Sequence, residues 1–535
     1  MQSTLWYQNA IFYQVYVRAF FDSNNDGHGD IQGLTQKLDY LRDLGVDCLW
    51  IMPIYPSPLK DDGYDIADYY KIHSDYGTLE DFKILLKEAH ARDIRIITDL
   101  VLNHTSDQHS WFQAGRADRN SPFRDYYVWS DTNTQYADAR IIFTDTEKSN
   151  WAWDEKAGQY YWHRFYTSQP DLNYDNPAVR NEILNIMKFW LDMGVDGFRA
   201  DAVPYLFERD GTTCENLPET HTFLKEMRRF VDEHYPDCIL LCEANQWPRN
   251  VRDYFGSGNE FHMAFHFPLM PRVYMAIRRG EAEPIHWALE QTPPIPENCQ
   301  WVTFLRNHDE LTLEMVTEEE RQWMWREYAP DLRMRINLGI RRRLAPLLEN
   351  DSRRIELANS LLFTLPGSPI IYYGDEIGMG DNIALEDRNG VRTPMQWDNS
   401  KNAGFSKADN LYVSVVNRPP FDPAKVNVQV QLNESVSLWQ ITHKMIMRRK
   451  EHPALGHVTL EWLECGSRAV AAYLRIFEKD RLVILNNLSD VSQKVRVKLD
   501  GQHFIDILRD GIFTVKDGFL EINLLPYQYL WLQEK

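Results

Sequence analysis

Eight short apolar runs, at residues 11–17, 48–52, 94–102, 197–202, 239–242, 262–267, 301–305 and 369–373, recur through the first two-thirds of the 535-residue chain. Segments with helical spacing lie between them, and this alternation is the mark of βα units around a parallel sheet. Several runs are apolar nearly throughout, as strands covered on both faces must be. In the intervening segments apolar residues return at three- and four-residue steps: Leu34, Leu38, Leu41 and Leu44; Phe82, Leu85, Leu86 and Ala89; Val179, Ile183, Ile186, Met187 and Trp190. Thr78 and the pair Asn176-Pro177 mark helix starts. Eight such units predict an α/β fold, a (β/α)8 TIM barrel with the helical stripes packed outside.

Two connections are too long for simple loops. Residues 104–171, after the third strand, are rich in Trp, Tyr, Asp and Ser and read as an inserted domain. Residues 374–433, after the eighth strand, form a second excursion dense in Asp, Asn, Gly and Pro. Both leave from the carboxyl ends of strands, where barrel enzymes build their sites. From 453 to 535 the pattern changes to short alternating segments, which predicts a C-terminal antiparallel β-sandwich domain. The barrel then comprises residues 1–103 and 172–452.

Composition excludes several classes. Lys plus Arg is 58 and Asp plus Glu 78, a net charge of −20 that repels phosphate backbones, so no nucleic-acid partner is expected. No run reaches the roughly 18 apolar residues of a membrane span. The first ten residues lack the features of a secretory signal, and six scattered cysteines read as reduced thiols, so a cytoplasmic location is expected.

Chemistry concentrates at strand ends. In GVDGFRADAVP (194–204), Arg199 and Asp201 stand two apart on one strand and share a face. A paired arginine favours an ionised carboxylate, as a nucleophile requires; a buried structural ion pair fits the same spacing. Glu243 ends the next strand, after an apolar run that would keep a carboxyl protonated, and Asp309 follows the seventh. A close carboxyl pair suits retaining glycoside chemistry. DSNNDGHGD (22–30) alternates oxygen-bearing residues with glycines, which suits a hard cation or a solvated turn. It is not an EF-hand, because the twelfth position, counted from Asp22, is Gly33.

The segments DLVLNH (99–104), GFRAD (197–201), Glu243 after its strand and RNHD (306–309) resemble, in order and spacing, the four signature regions of the alpha-amylase superfamily, glycoside hydrolase family 13. QPDLN (169–173) resembles the marker of its oligo-1,6-glucosidase and trehalose synthase branch. The resemblance implies Asp201 as nucleophile, Glu243 as acid/base and Asp309 as the carboxylate that binds sugar hydroxyls and favours the distorted transition state. It implies that Arg199 orients the nucleophile, that His104 and His308 bond the reacting sugar, and that Asp99 supports them. From DDGYD (61–65) it implies that Tyr64 stacks on that sugar and that Asp61 pairs with Arg392 of RTPMQW, closing the pocket beyond it. Two loop charges in solvent are the plainer reading of that last pair.

The resemblance also implies structural Ca2+ and no organic cofactor. Asp22, Asn24, Asp26 and Asp30 would bind through side chains and His28 through its carbonyl. A second site would join Asn103, Asp171 and Glu208 with the carbonyls of Tyr205 and Leu206. Longer stretches such as CENLPETH (214–221), EANQWP (243–248) and GIRRRLAPLL (339–348) resemble the branch that interconverts maltose and trehalose by moving one glucosyl group in a closed site. An exo-acting alpha-glucosidase or transglucosylase would use the same residues. A non-enzymatic relative is disfavoured because all three carboxylates are in place. Homo-oligomerisation is implied, and coupling to a maltokinase would need a separate chain.

Overall fold

The computed structural model describes residues 5–535. Strands β1 (Phe12–Val15), β2 (Cys48–Ile51), β3 (Arg95–Val101), β4 (Gly197–Asp201), β5 (Ile239–Cys242), β6 (Met263–Phe265), β7 (Gln300–Phe304) and β8 (Ser368–Tyr372) pair in parallel in chain order, and β8 closes on β1. Apart from Arg95, every strand residue is buried. Double-sided burial is the reason for the continuous apolar runs. The runs overshoot the strands because their flanks, such as Ile11, Tyr16 and Val17, are buried in turns.

Register places chemistry at one level. Asp99 of β3 lies opposite Arg199 of β4, Val101 opposite Asp201, and Ala200 opposite Cys242, so Glu243 emerges beside Asp201. Outside the barrel, helix Pro177–Met193 shows how the stripes were selected. Asn176 accepts the Ala178 N–H, Pro177 fills the first turn, and Val179, Ile183, Ile186, Met187 and Trp190 face the core. The helix stops at Gly194, whose φ of 109° a side chain would strain. Helix Leu79–His90 begins with a reciprocal capping box between Thr78 and Asp81.

The insert hangs from a β-bridge between His104 and Asp171 and carries a three-stranded antiparallel sheet (Trp129–Ser130, Trp151–Asp154, Gln159–Trp162). Ile142 and Phe143 of the insert pack with Ala202 and Tyr205 of the barrel. Arg140 straps it down, donating to Glu215 (2.8 Å), Glu314 (2.9 Å) and the Tyr205 hydroxyl (3.2 Å). The excursion after β8 winds through 3-10 turns Asp375–Ile377, Asn389–Val391 and Lys401–Gly404 over the barrel mouth.

The C-terminal domain is a six-stranded antiparallel sheet faced by a two-stranded one, with its own apolar core between them. Its other face docks on helix Ser352–Thr364: Ser360 Oγ donates to Asn486 (2.7 Å) and Trp531 Nε1 to Ser360 Oγ (2.9 Å). No helix among the described residues is long and apolar enough to cross a membrane.

Candidate active site

Arg199 holds the site together. Its guanidinium, 1% exposed, meets Asp99, Asp201 Oδ1 (2.6 Å) and Glu243 Oε1 (2.5 Å). Asp99 is fixed in turn by Trp50 Nε1 (2.9 Å) and the Tyr64 hydroxyl (3.3 Å). One guanidinium bridging Asp201 and Glu243 keeps the two carboxyls close, the arrangement of a retaining pair. Burial raises Glu243 to about 8, with Asp201 and Asp309 adding to the effect and Arg199 opposing it. Burial also raises Asp201, to about 6, with Asp99 and Asp309 adding to the effect and Arg199 and Glu243 opposing it. The guanidinium therefore keeps Asp201 ionised only above about pH 6.

Asp309 sits across the pocket, with Oδ2 at 3.1 Å from His308 Nε2 and Oδ1 at 2.7 Å from Arg388 and 3.1 Å from Arg392. Burial works against its ionisation, but His308 and the two guanidiniums outweigh burial and hold its carboxyl well below the usual range.

The pairing expected of Asp61 needs correction. Asp61 bonds Arg388 (2.5 Å) and the Gln169 amide (2.8 Å), whereas Arg392 bonds the neighbouring Asp62 and the His308 carbonyl (2.9 Å). The cause is geometric. The turn Asn389–Val391 separates Arg388, which lines the cavity, from Arg392, which does not, and Asp62 takes a φ of 45° beside Asp61. Two adjacent aspartates and two arginines four apart leave this choice open in a sequence.

The cavity, about 830 Å³ with its mouth, is lined by Asp61, Tyr64, His104, Asp201, Glu243, His308, Asp309 and Arg388, and on the insert side by Ile142, Phe143 and Phe165. Tyr64 stacks on His308, rings 5.1 Å apart and 13° from parallel, and lines the cavity. His104 is 2% exposed, burial pushes it down to about 3, and its Nε2 has no protein partner. Arg392 does not line the cavity. Arg388, Asn245, Glu310 and Glu314 do, and the sequence reading missed them. Asn245 lies inside EANQWP and the other three lie one to five residues from quoted motifs, and that proximity was the available signal.

The two cation sets behave differently. In the 22–30 loop, Asp22 accepts from the N–H groups of Asn24, Asn25 and Gly27 and from Ser406, Asp26 from His28 N–H, and Asp30 from Ser23 and Gly33. Its carboxylates already serve as turn and cap acceptors. In the second set, Asn103 Oδ1, Asp171 Oδ2 and Glu208 Oε1 are all buried without a hydrogen-bond partner among the described residues. Burial raises Asp171 to about 8 and drives Glu208 well above its ordinary range, Asp171 adding to the latter. Three orphaned oxygens at one joint fit a hard cation. Tyr205 and Leu206 occupy the turn beside them. No cluster of three or more His, Cys, Asp or Glu side chains able to hold a metal occurs among the described residues.

Comparison with known proteins agrees with the geometry. Residues 14–457 match the family described as alpha amylase, catalytic domain, and residues 460–531 match the maltogenic amylase C-terminal domain. The chain is 57% identical over 540 residues to trehalose synthase/amylase TreS of Mycolicibacterium smegmatis, covering 98% of this chain and 90% of that protein. It is 56% identical over 509 residues to a trehalose synthase of Pimelobacter sp., covering 92% and 89%. Among solved structures, a trehalulose synthase MutB superposes with a TM-score of 0.80 at 29% identity, covering 98% of this chain and 99% of that one. With its barrel, its three strand-end carboxylates and matches that span nearly the whole chain, this protein belongs to the alpha-amylase family.

Proposed function

We propose that the protein interconverts maltose and trehalose by moving one glucosyl group within the closed pocket. The observation that carries this is the pocket's far end. Arg388 ties Asp61 to Asp309 on one side of the cavity, and Ile142, Phe143 and Phe165 of the insert line the other, which suits a short substrate. The 57% identity to a trehalose synthase over 98% of the chain supports the same reading.

In this mechanism Asp201 attacks the anomeric carbon of maltose while protonated Glu243 donates to the leaving 4-oxygen, giving a β-glucosyl enzyme and free glucose. Asp309 and His308 hold the hydroxyls of the transferred sugar, and Tyr64 offers its ring face. The freed glucose turns to present its anomeric hydroxyl. Glu243, now a base, takes that proton, and attack on the intermediate gives the α,α-linkage. Ile142, Phe143 and Phe165 with the Arg140 strap exclude water, and each failure of exclusion releases glucose. Ca2+ belongs to the proposal at Asn103, Asp171 and Glu208, where it would neutralise two buried carboxyls and stiffen the base of the insert.

The test is incubation with maltose alone, following trehalose and glucose with time beside Asp201→Asn. Trehalose in excess over glucose supports the isomerase. Glucose alone assigns an alpha-glucosidase instead, and full activity in Asp201→Asn removes the nucleophile from the scheme.

A further inference from the structure

Gln14, on β1 and fully buried, makes two contacts with His308 across the barrel. Its Oε1 lies 3.2 Å from the His308 backbone N–H, and its Nε2 lies 2.6 Å from the ring Nδ1. A backbone N–H can only donate, so the amide oxygen must face it and the NH2 must face the ring. An amide NH2 also only donates, so Nδ1 must offer a lone pair. The ring proton is then on Nε2, which lies 3.1 Å from Asp309 Oδ2.

From this geometry we infer that Gln14 is a positioning residue that fixes His308 as the neutral Nε2–H tautomer. The alternatives fail on contact chemistry. An imidazolium and the other neutral tautomer would each set Nδ1–H against the amide NH2 at 2.6 Å. The surroundings act the same way. Burial, Arg392, Arg199 and Arg388 all oppose a charged ring, against Asp309 alone, while the Trp50 edge and the Tyr64 face that cover the ring are uncharged.

The consequence for catalysis rests on the reading of this pocket as the place where the glucosyl enzyme forms. Positive charge grows on the sugar in an oxocarbenium-like transition state. A neutral His308 stands beside Asp309 without adding a cation that would repel that charge. Gln14 thereby acts on the reaction from the strand on the opposite side of the ring, through the tautomer.

Neutron diffraction from deuterium-exchanged crystals of the full-length resting enzyme reads the proton directly. A deuteron on His308 Nε2 and none on Nδ1 is the expected map; density at Nδ1 overturns the inference. Gln14→Glu replaces the donor by an acceptor and should move a deuteron onto Nδ1. Total turnover of maltose, trehalose plus glucose, should fall about 10- to 100-fold, the range found when the outer partner of a metal-bound histidine is removed. Turnover within twofold of wild type with the deuteron on Nδ1 overturns the catalytic part. Should Gln14→Glu not fold, Gln14→Met keeps the length without the amide, and the same fall is expected at an unchanged melting temperature. Because products are summed, an enzyme that proves to be a hydrolase refutes the isomerase reading and leaves this one standing.

Discussion

At the residue scale, Glu243 near 8 and Asp201 near 6 leave a window in which one carboxyl is mainly protonated and the other mainly ionised. Below that window Asp201 takes up a proton and the nucleophile is lost; above it Glu243 loses the proton that the leaving group needs. A bell-shaped kcat/KM with apparent limbs near 6 and 8 is expected, the two values belonging to the coupled pair and its shared arginine. A profile flat from pH 5 to 9 would contradict these assignments. Arg388 yields a second test, since it contacts both Asp61 and Asp309. Arg388→Ala removes one partner of buried charge pairs, a change that costs about 2–5 kcal/mol, and should lower kcat/KM for maltose accordingly. The melting temperature should fall as well, because Asp61 is left buried with only the Gln169 amide as a side-chain partner. Equal kcat/KM in Arg388→Ala and wild type would show that the pocket's end lies elsewhere.

At the scale of elements, the function depends on joints between pieces that are remote in sequence. Asn103 follows β3, Asp171 closes the insert, and Glu208 lies beyond the turn after β4, so their orphaned oxygens meet where the insert is hinged to the barrel. A cation there binds the folded joint only, and stabilises it by about 2.7 kcal/mol when present at about 100 times its Kd. Chelation of the purified enzyme should therefore lower its melting temperature and restore it on adding Ca2+. Glu208→Gln should abolish the response to chelator, while Asp26→Asn should leave it in place, because the 22–30 loop closes on its own N–H groups. A chelator response lost in Asp26→Asn and kept in Glu208→Gln would reverse the assignment.

At the scale of the molecule, the C-terminal domain shares the barrel's core as well as having one of its own. Tyr473, Leu482, Ile484 and Trp531 pack in the same apolar cluster as the barrel strands, and Ser360, Thr364 and Asn486 bond across the seam. Calorimetry should give one endotherm, with equal calorimetric and van't Hoff enthalpies, despite the two domains; two resolved transitions would refute that coupling. Much of this architecture was legible in the residues. Continuous apolar runs and period-3.6 patterns record burial, so all eight barrel strands and the Asn176 and Thr78 caps could be read from them. Strand ends carry their side chains with them, so Asp201, Glu243 and Asp309 were readable too. Those signals are local, set by each residue's own backbone preference and by whether its neighbours along the chain face water or core. Pairings between distant loops leave no such trace. Asp61 lies more than three hundred residues from both arginines, and only the turn at 389–391 and the φ of Asp62 give it Arg388. Likewise the orphaned oxygens around Glu208 and the proton on His308 arise where separate strands and loops converge, because contact chemistry is fixed by packing in three dimensions rather than by spacing in one.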